Sequence, residues 1–114
     1  MHELPVTQGI LQVAVETARQ HNADHITDIH LVIGVLAGLV DDSIQFYFDI
    51  LSQDTLAAGA TLHFRREPAI AVCGQCGRQT EVTPPLLTAC PACASPRLTV
   101  TGGRAFYVDS IDID

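Results

Sequence analysis

The sequence has no lysine and no tryptophan, and its six arginines face thirteen acidic residues, a formal charge of −7. Nucleic-acid backbones are gripped by dense positive charge, so this balance argues against DNA or RNA as a partner. Long apolar runs are also missing. The longest, Ile29 to Val40, is interrupted by His30, Gly34 and Gly38 and is too short to span a bilayer. The start carries no secretory h-region, so the chain reads as soluble and cytoplasmic, with no membrane partner. No Ser/His/Asp order, glycine-rich phosphate loop or pair of acids stands out, so no catalytic residues are expected and the chain is not read as an enzyme.

Cysteine is scarce but concentrated. Cys73-Gly74-Gln75-Cys76 is answered by Cys90-Pro91-Ala92-Cys93, and these are the only four cysteines. Each CxxC turn can aim two thiolates at one point, and two turns face to face supply the tetrahedral sulfur set of a closed structural zinc site. Gly77 and Pro91 suit tight knuckles, because glycine tolerates positive φ and proline pre-sets a turn. Two disulfides are a rival reading, disfavoured without signs of an oxidising compartment. A thioredoxin-like redox motif needs only one CxxC. A rubredoxin-like iron site is the third rival, since such knuckles serve iron equally well, but no aromatic residue lies between Gly77 and Ala89 to shield a redox centre.

With 114 residues, 47 % of them apolar, the chain makes one compact domain or one small domain with an appendage. Val6, Ile10, Val13 and Thr17, widened by Leu11, Ala14 and Ala18, predict a helix from about Pro5 to His21-Asn22. Ile29, Leu31, Ile33 and Val35 alternate as in a strand, with Gly34 and Gly38 marking a bulge, the strand's end or the close approach of another backbone. Asp42 and Gln45 resemble a capping pair for a second helix, striped by Ile44, Tyr47, Phe48 and Leu51 and running to about Gln53. Leu62 and Phe64 mark a second strand ended by Pro68, parallel to the first if the two share a sheet. Between Pro68 and Gly102-Gly103 lie the cysteines and two short β-like runs, 79–83 and 97–101. A last strand from Arg104 to about Ile113 changes phase between Val108 and Ile111, which predicts a bulge near Asp109-Ser110. The expected fold is α+β: two helices on a small mixed sheet, formed by residues 1–67 and 103–114, with a zinc-ribbon-like unit, 68–102, inserted.

The opening Met1-His2-Glu3 is a second candidate metal site. The α-amine, the His2 backbone nitrogen and the His2 imidazole can wrap one ion, and Glu3 lies close enough to add a donor; nitrogens in a plane suit Ni(II) or Cu(II). On its own a second-position histidine is more often a solvated terminal residue. His21, His25, His30 and His63 read as surface or edge residues, and Asp109, Asp112 and Asp114 as charges that keep the last strand from pairing with other molecules.

MHEL at the start, the IG..AG stretch from Ile33 to Gly38 and two CxxC pairs before a C-terminal strand together resemble the HypA/HybF family of nickel metallochaperones over essentially the whole chain. The resemblance implies structural Zn2+ at Cys73, Cys76, Cys90 and Cys93, and transported Ni2+ at Met1, His2 and Glu3. It also implies the GTPase HypB and the [NiFe]-hydrogenase large subunit as partners, with urease as a further destination in some organisms. The chain departs from the family pattern at Val35 and Val40, where acids are common; Asp41 or Asp42 could substitute, or could simply cap the second helix. A monomer and a homodimer are both compatible with the sequence. The alternative is a zinc-ribbon module for protein interaction or nucleic-acid binding, which would make no use of His2.

Overall fold

The computed structural model describes residues 3–114. In chain order the elements are α1 (Glu3–Gln20), β1 (Ile26–Gly34), α2 (Asp41–Leu51), β2 (Thr61–Glu67), β3 (Ala69–Cys73), β4 (Gln79–Val82), β5 (Leu98–Gly102) and β6 (Phe106–Ile113). They form two three-stranded sheets, ordered β2-β1-β6 and β4-β3-β5. Among the described residues no helix is long and apolar enough to cross a membrane.

The chain divides into two compact units. The first holds the residues up to Val32, Leu39–Arg65 and Tyr107–Asp114. Its buried side chains include Ile10, Ala14 and Ala18 of α1, Ile29 and Leu31 of β1, and Ile44 and Phe48 of α2. The helices pack against each other. The buried stripe of α1 runs Glu3, Thr7, Ile10, Ala14, Ala18, while Val13, expected in the core, is 51 % exposed. Two alanines in that stripe let a neighbour approach closely, and a turn of the helix about its axis leaves the bulkier valine outside. Strand β6 runs antiparallel to β1: the Asp114 amide donates to the His25 carbonyl, and Thr27 Oγ1 to that of Asp112. Both Asp109 and Ser110 are exposed, so the in-and-out alternation of β6 does break where the sequence placed a bulge.

The capping pair expected for α2 is not formed. The helix begins two residues earlier than that pair would start it, Val40 is its N-cap with no side-chain cap, and Gln45 Nε2 instead donates to Asp49 Oδ1 at 2.8 Å. Val40 cannot cap because it has no side-chain acceptor; its carbonyl takes the Ser43 and Ile44 amides, each at 3.1 Å.

The second unit consists of Ile33–Gly38 and Arg66–Phe106. Its longer segment runs Arg66–Phe106, where the sequence suggested 68–102, and Ile33–Gly38, read from the sequence with residues 1–67, belongs to it as well. Ile33–Gly38 joins the cysteine-bearing part through backbone bonds: the Val35 amide to the Glu67 carbonyl at 2.9 Å, and the Leu36 amide to that of Gly103 at 2.6 Å. Val35 and Leu36 then pack, with Val100, on Ala69, Ala71 and Val82. Strand β3, central in its sheet, has no counterpart in the sequence reading. It pairs antiparallel with β4 (Ile70 opposite Glu81) and with β5 (Ile70 opposite Thr101).

Candidate metal centre

Strand β3 ends at Cys73, so one rigid element fixes the first sulfur. The chain then turns back: the Gly77 amide donates to the Cys73 carbonyl, and the Cys73 amide to the Arg78 carbonyl, both at 3.0 Å. Gly77 closes the turn at φ 78°, a conformation that costs glycine nothing. Inside it the Gln75 and Cys76 amides point at Cys73 Sγ, at 3.4 and 3.3 Å.

The second knuckle repeats these bonds. The Ala94 amide reaches the Cys90 carbonyl and the Cys90 amide the Ser95 carbonyl, both at 2.8 Å, while the Ala92 amide points at Cys90 Sγ at 3.4 Å. Here the position matching Gly77 is Ala94, held at φ 62°.

The two turns bring four sulfurs to within 4.8 Å of one another. Cys73 Sγ lies 3.6 Å from Cys93 Sγ, and Cys76 Sγ 3.6 Å from Cys90 Sγ. A disulfide needs about 2.05 Å, so these are not disulfides. Sulfurs placed tetrahedrally at about 2.3 Å from one ion stand about 3.8 Å apart, close to these two separations. The protonation pattern agrees with a metal site. The Cys76 and Gln75 amides draw the Cys73 thiol from its ordinary value near 9 down to about 6. Cys90 is lowered in the same way by the Cys93 and Ala92 amides. The Ser95 amide favours the Cys93 thiolate, but burial and the Cys73, Cys76 and Cys90 sulfurs outweigh it and push that thiol up to about 12. Each knuckle thus readies one thiolate for a cation, whose arrival displaces the remaining protons.

Of the other predicted ligands, Met1 and His2 lie outside the described residues. Glu3 is in the first turn of α1, only 5 % exposed, and its Oε2 accepts a hydrogen bond from the Val40 amide at 3.2 Å. Asp41 and Asp42 fall in the first turn of α2, where their charge suits the helix N-terminus.

A family model described as "Hydrogenase/urease nickel incorporation, metallochaperone, hypA" matches residues 1–113. The chain belongs to the HypA family. It is 43 % identical to the hydrogenase maturation factor HypA of Dehalococcoides mccartyi strain 195, across 100 % of this chain and 95 % of that one. It is 38 % identical to the hydrogenase maturation factor HybF of Klebsiella pneumoniae, with 98 % of each chain covered. The solution structure of the nickel metallochaperone HypA from Helicobacter pylori shares its fold, with a TM-score of 0.64 over 99 % of this chain and 97 % of that one at 19 % identity. A second HypA solution structure matches with a TM-score of 0.68 at 21 % identity, over 99 % of this chain and 96 % of that one. The α+β architecture of helices, small mixed sheets and clustered cysteines is therefore that of the HypA fold.

One grouping in this HypA chain went unseen in the sequence. His30 and His63 are surface residues, as expected, but their rings stack with centroids 4.6 Å apart, and each holds a carboxylate, Asp112 and Asp28 respectively. The available signal was Asp28 and His30 two residues apart on one strand, which places both on the same side.

Proposed function

We propose that this chain is a nickel carrier for hydrogenase maturation: it takes Ni(II) at Met1, His2 and Glu3 and keeps Zn(II) among Cys73, Cys76, Cys90 and Cys93 as a fixed structural ion. The observation that carries this reading is the family match, which begins at residue 1 and so includes the three proposed nickel donors. The physical chemistry supports a division of labour. A four-thiolate site is closed, with no open position for exchange or catalysis, and suits zinc, which has neither redox chemistry nor a d-electron preference for another geometry. A terminal site offers nitrogen donors in one plane, favours nickel, and can surrender its ion by exchanging donors one at a time.

The chain's part is transfer of a cation rather than turnover of a substrate. Its proposed partners are the GTPase HypB and the large subunit of a [NiFe]-hydrogenase, with a urease as the other destination named in the family description. The test is nickel titration of untagged, zinc-loaded protein beside His2→Ala. A nickel-binding event in the native protein that His2→Ala removes, with zinc content and fold unchanged, supports the assignment. Equal nickel affinity in both proteins refutes it.

A further inference from the structure

Strand β1 carries Asp28 and His30, β2 carries His63, and β6 carries Asp112. His30 Nε2 lies 2.9 Å from Asp112 Oδ2, and His63 Nε2 lies 2.7 Å from Asp28 Oδ1. The rings are nearly parallel, at 14°. All four side chains reach solvent: His30 is 38 % exposed, His63 47 %, Asp112 59 % and Asp28 30 %. His30 and His63 line a hollow of about 200 Å³ together with Arg65, Asp109 and Ser110.

We propose that His30 and His63 form a second, exchangeable site for one divalent cation of the nickel, copper and zinc class, on the β2-β1-β6 sheet and separate from both the terminal donors and the cysteines. An ionised carboxylate can only accept a hydrogen bond, so each neutral imidazole presents its N–H from Nε2 to its aspartate. That fixes the tautomer and leaves the lone pair on Nδ1. A carboxylate behind a histidine is the recurring arrangement at metal sites, where it orients the ring and raises its basicity. Two nitrogens on one cation, each about 2.1 Å from it, stand at most about 4.2 Å apart. The ring centroids are 4.6 Å apart in nearly parallel planes, so a shared ion requires the two rings to turn their Nδ1 edges toward each other, and their exposure leaves room for that turn. The facing charges are Asp28, Asp109 and Asp112 against Arg65, an acidic excess that draws cations. With two protein donors and water in the other positions, the ion is held loosely and exchanges readily.

The test uses untagged, zinc-loaded full-length His2→Ala protein, titrated calorimetrically with nickel and separately with copper. One binding event is expected, weakened at least tenfold in His30→Gln and in His63→Gln. Glutamine can still donate to the aspartate but offers no imidazole lone pair, so a purely structural ion pair would pass this substitution unharmed. Should a glutamine variant fail to fold, paramagnetic broadening in His2→Ala decides: the His30 and His63 ring signals are expected to broaden first. Absence of any event in His2→Ala, an event unchanged in both glutamine variants, or broadening that begins elsewhere overturns the proposal. Native protein tests the terminal site independently, since that reading fails only if His2→Ala leaves native nickel binding unaltered.

Discussion

Replacing Gly34 by alanine should be among the most damaging small changes in this chain. A Cβ built there would stand 2.1 Å from both the carbonyl carbon and oxygen of Gly103 and 2.5 Å from the Arg104 nitrogen. All three are backbone atoms, so no side chain can swing aside. Ordinary contact begins near 3.4 Å, and the two backbones would have to part by roughly 1.3 Å. They are tied by the Gly34 amide to the Ala105 carbonyl at 2.7 Å and the Leu36 amide to the Gly103 carbonyl at 2.6 Å. Parting them gives up two hydrogen bonds at about 0.5–1.5 kcal/mol each and adds an overpacking cost of about 1–3 kcal/mol. The expected loss is about 2–6 kcal/mol, a large share of a typical domain's 5–15 kcal/mol. Urea unfolding of zinc-loaded protein, followed by far-ultraviolet circular dichroism, measures it. Gly9→Ala is the internal control: nothing lies within 4 Å of its built Cβ, and it sits inside α1, so alanine there should stabilise by about 0.5–1 kcal/mol. A Gly34→Ala protein within about 0.5 kcal/mol of the parent would refute the reasoning.

The knuckles invite a paired exchange. Ala94 holds φ 62°, which costs an L-residue about 1–2 kcal/mol, so Ala94→Gly should gain up to about 1 kcal/mol after the entropy of the added glycine, while Gly77→Ala should lose a similar amount; thermal melts of the zinc form read both. In zinc-free protein the Cys73 thiol is depressed from near 9 to about 6, so its thiolate favours the folded state fully above pH 9 and loses that contribution as pH falls through about 6. Zinc capture by apo-protein, followed with a chromogenic chelator, should therefore strengthen as pH rises through about 6 and beyond; affinity that is flat from pH 5 to 8 would contradict it.

The cysteine centre was legible because CxxC spacing is a local rule: one turn places two sulfurs, whatever the rest of the chain does. Gly34 was legible as a point of close approach, though its partner Gly103, 69 residues on, was not. What escaped were features without a local period. Strand β3, Ala-Ile-Ala-Val-Cys, is too short and too rich in small residues to announce itself, yet alanine at 69 and 71 is what its crowded central place requires. Asp42 and Gln45 satisfied a capping pattern, but the helix starts where the incoming chain delivers Val40. The stacked histidines depend on which strands become neighbours, a decision of topology rather than of sequence.

The bond from the Val40 amide to Glu3 ties the first turn of α1 to the doorstep of α2, 37 residues downstream. A helix that starts without a side-chain cap is borrowing its acceptor from the far end of the unit. Any cation that pulled the Glu3 carboxylate toward itself would hand that amide proton to water. The rate at which Val40 trades its proton for deuterium would then be a gauge of cargo, readable at a residue that never touches the metal.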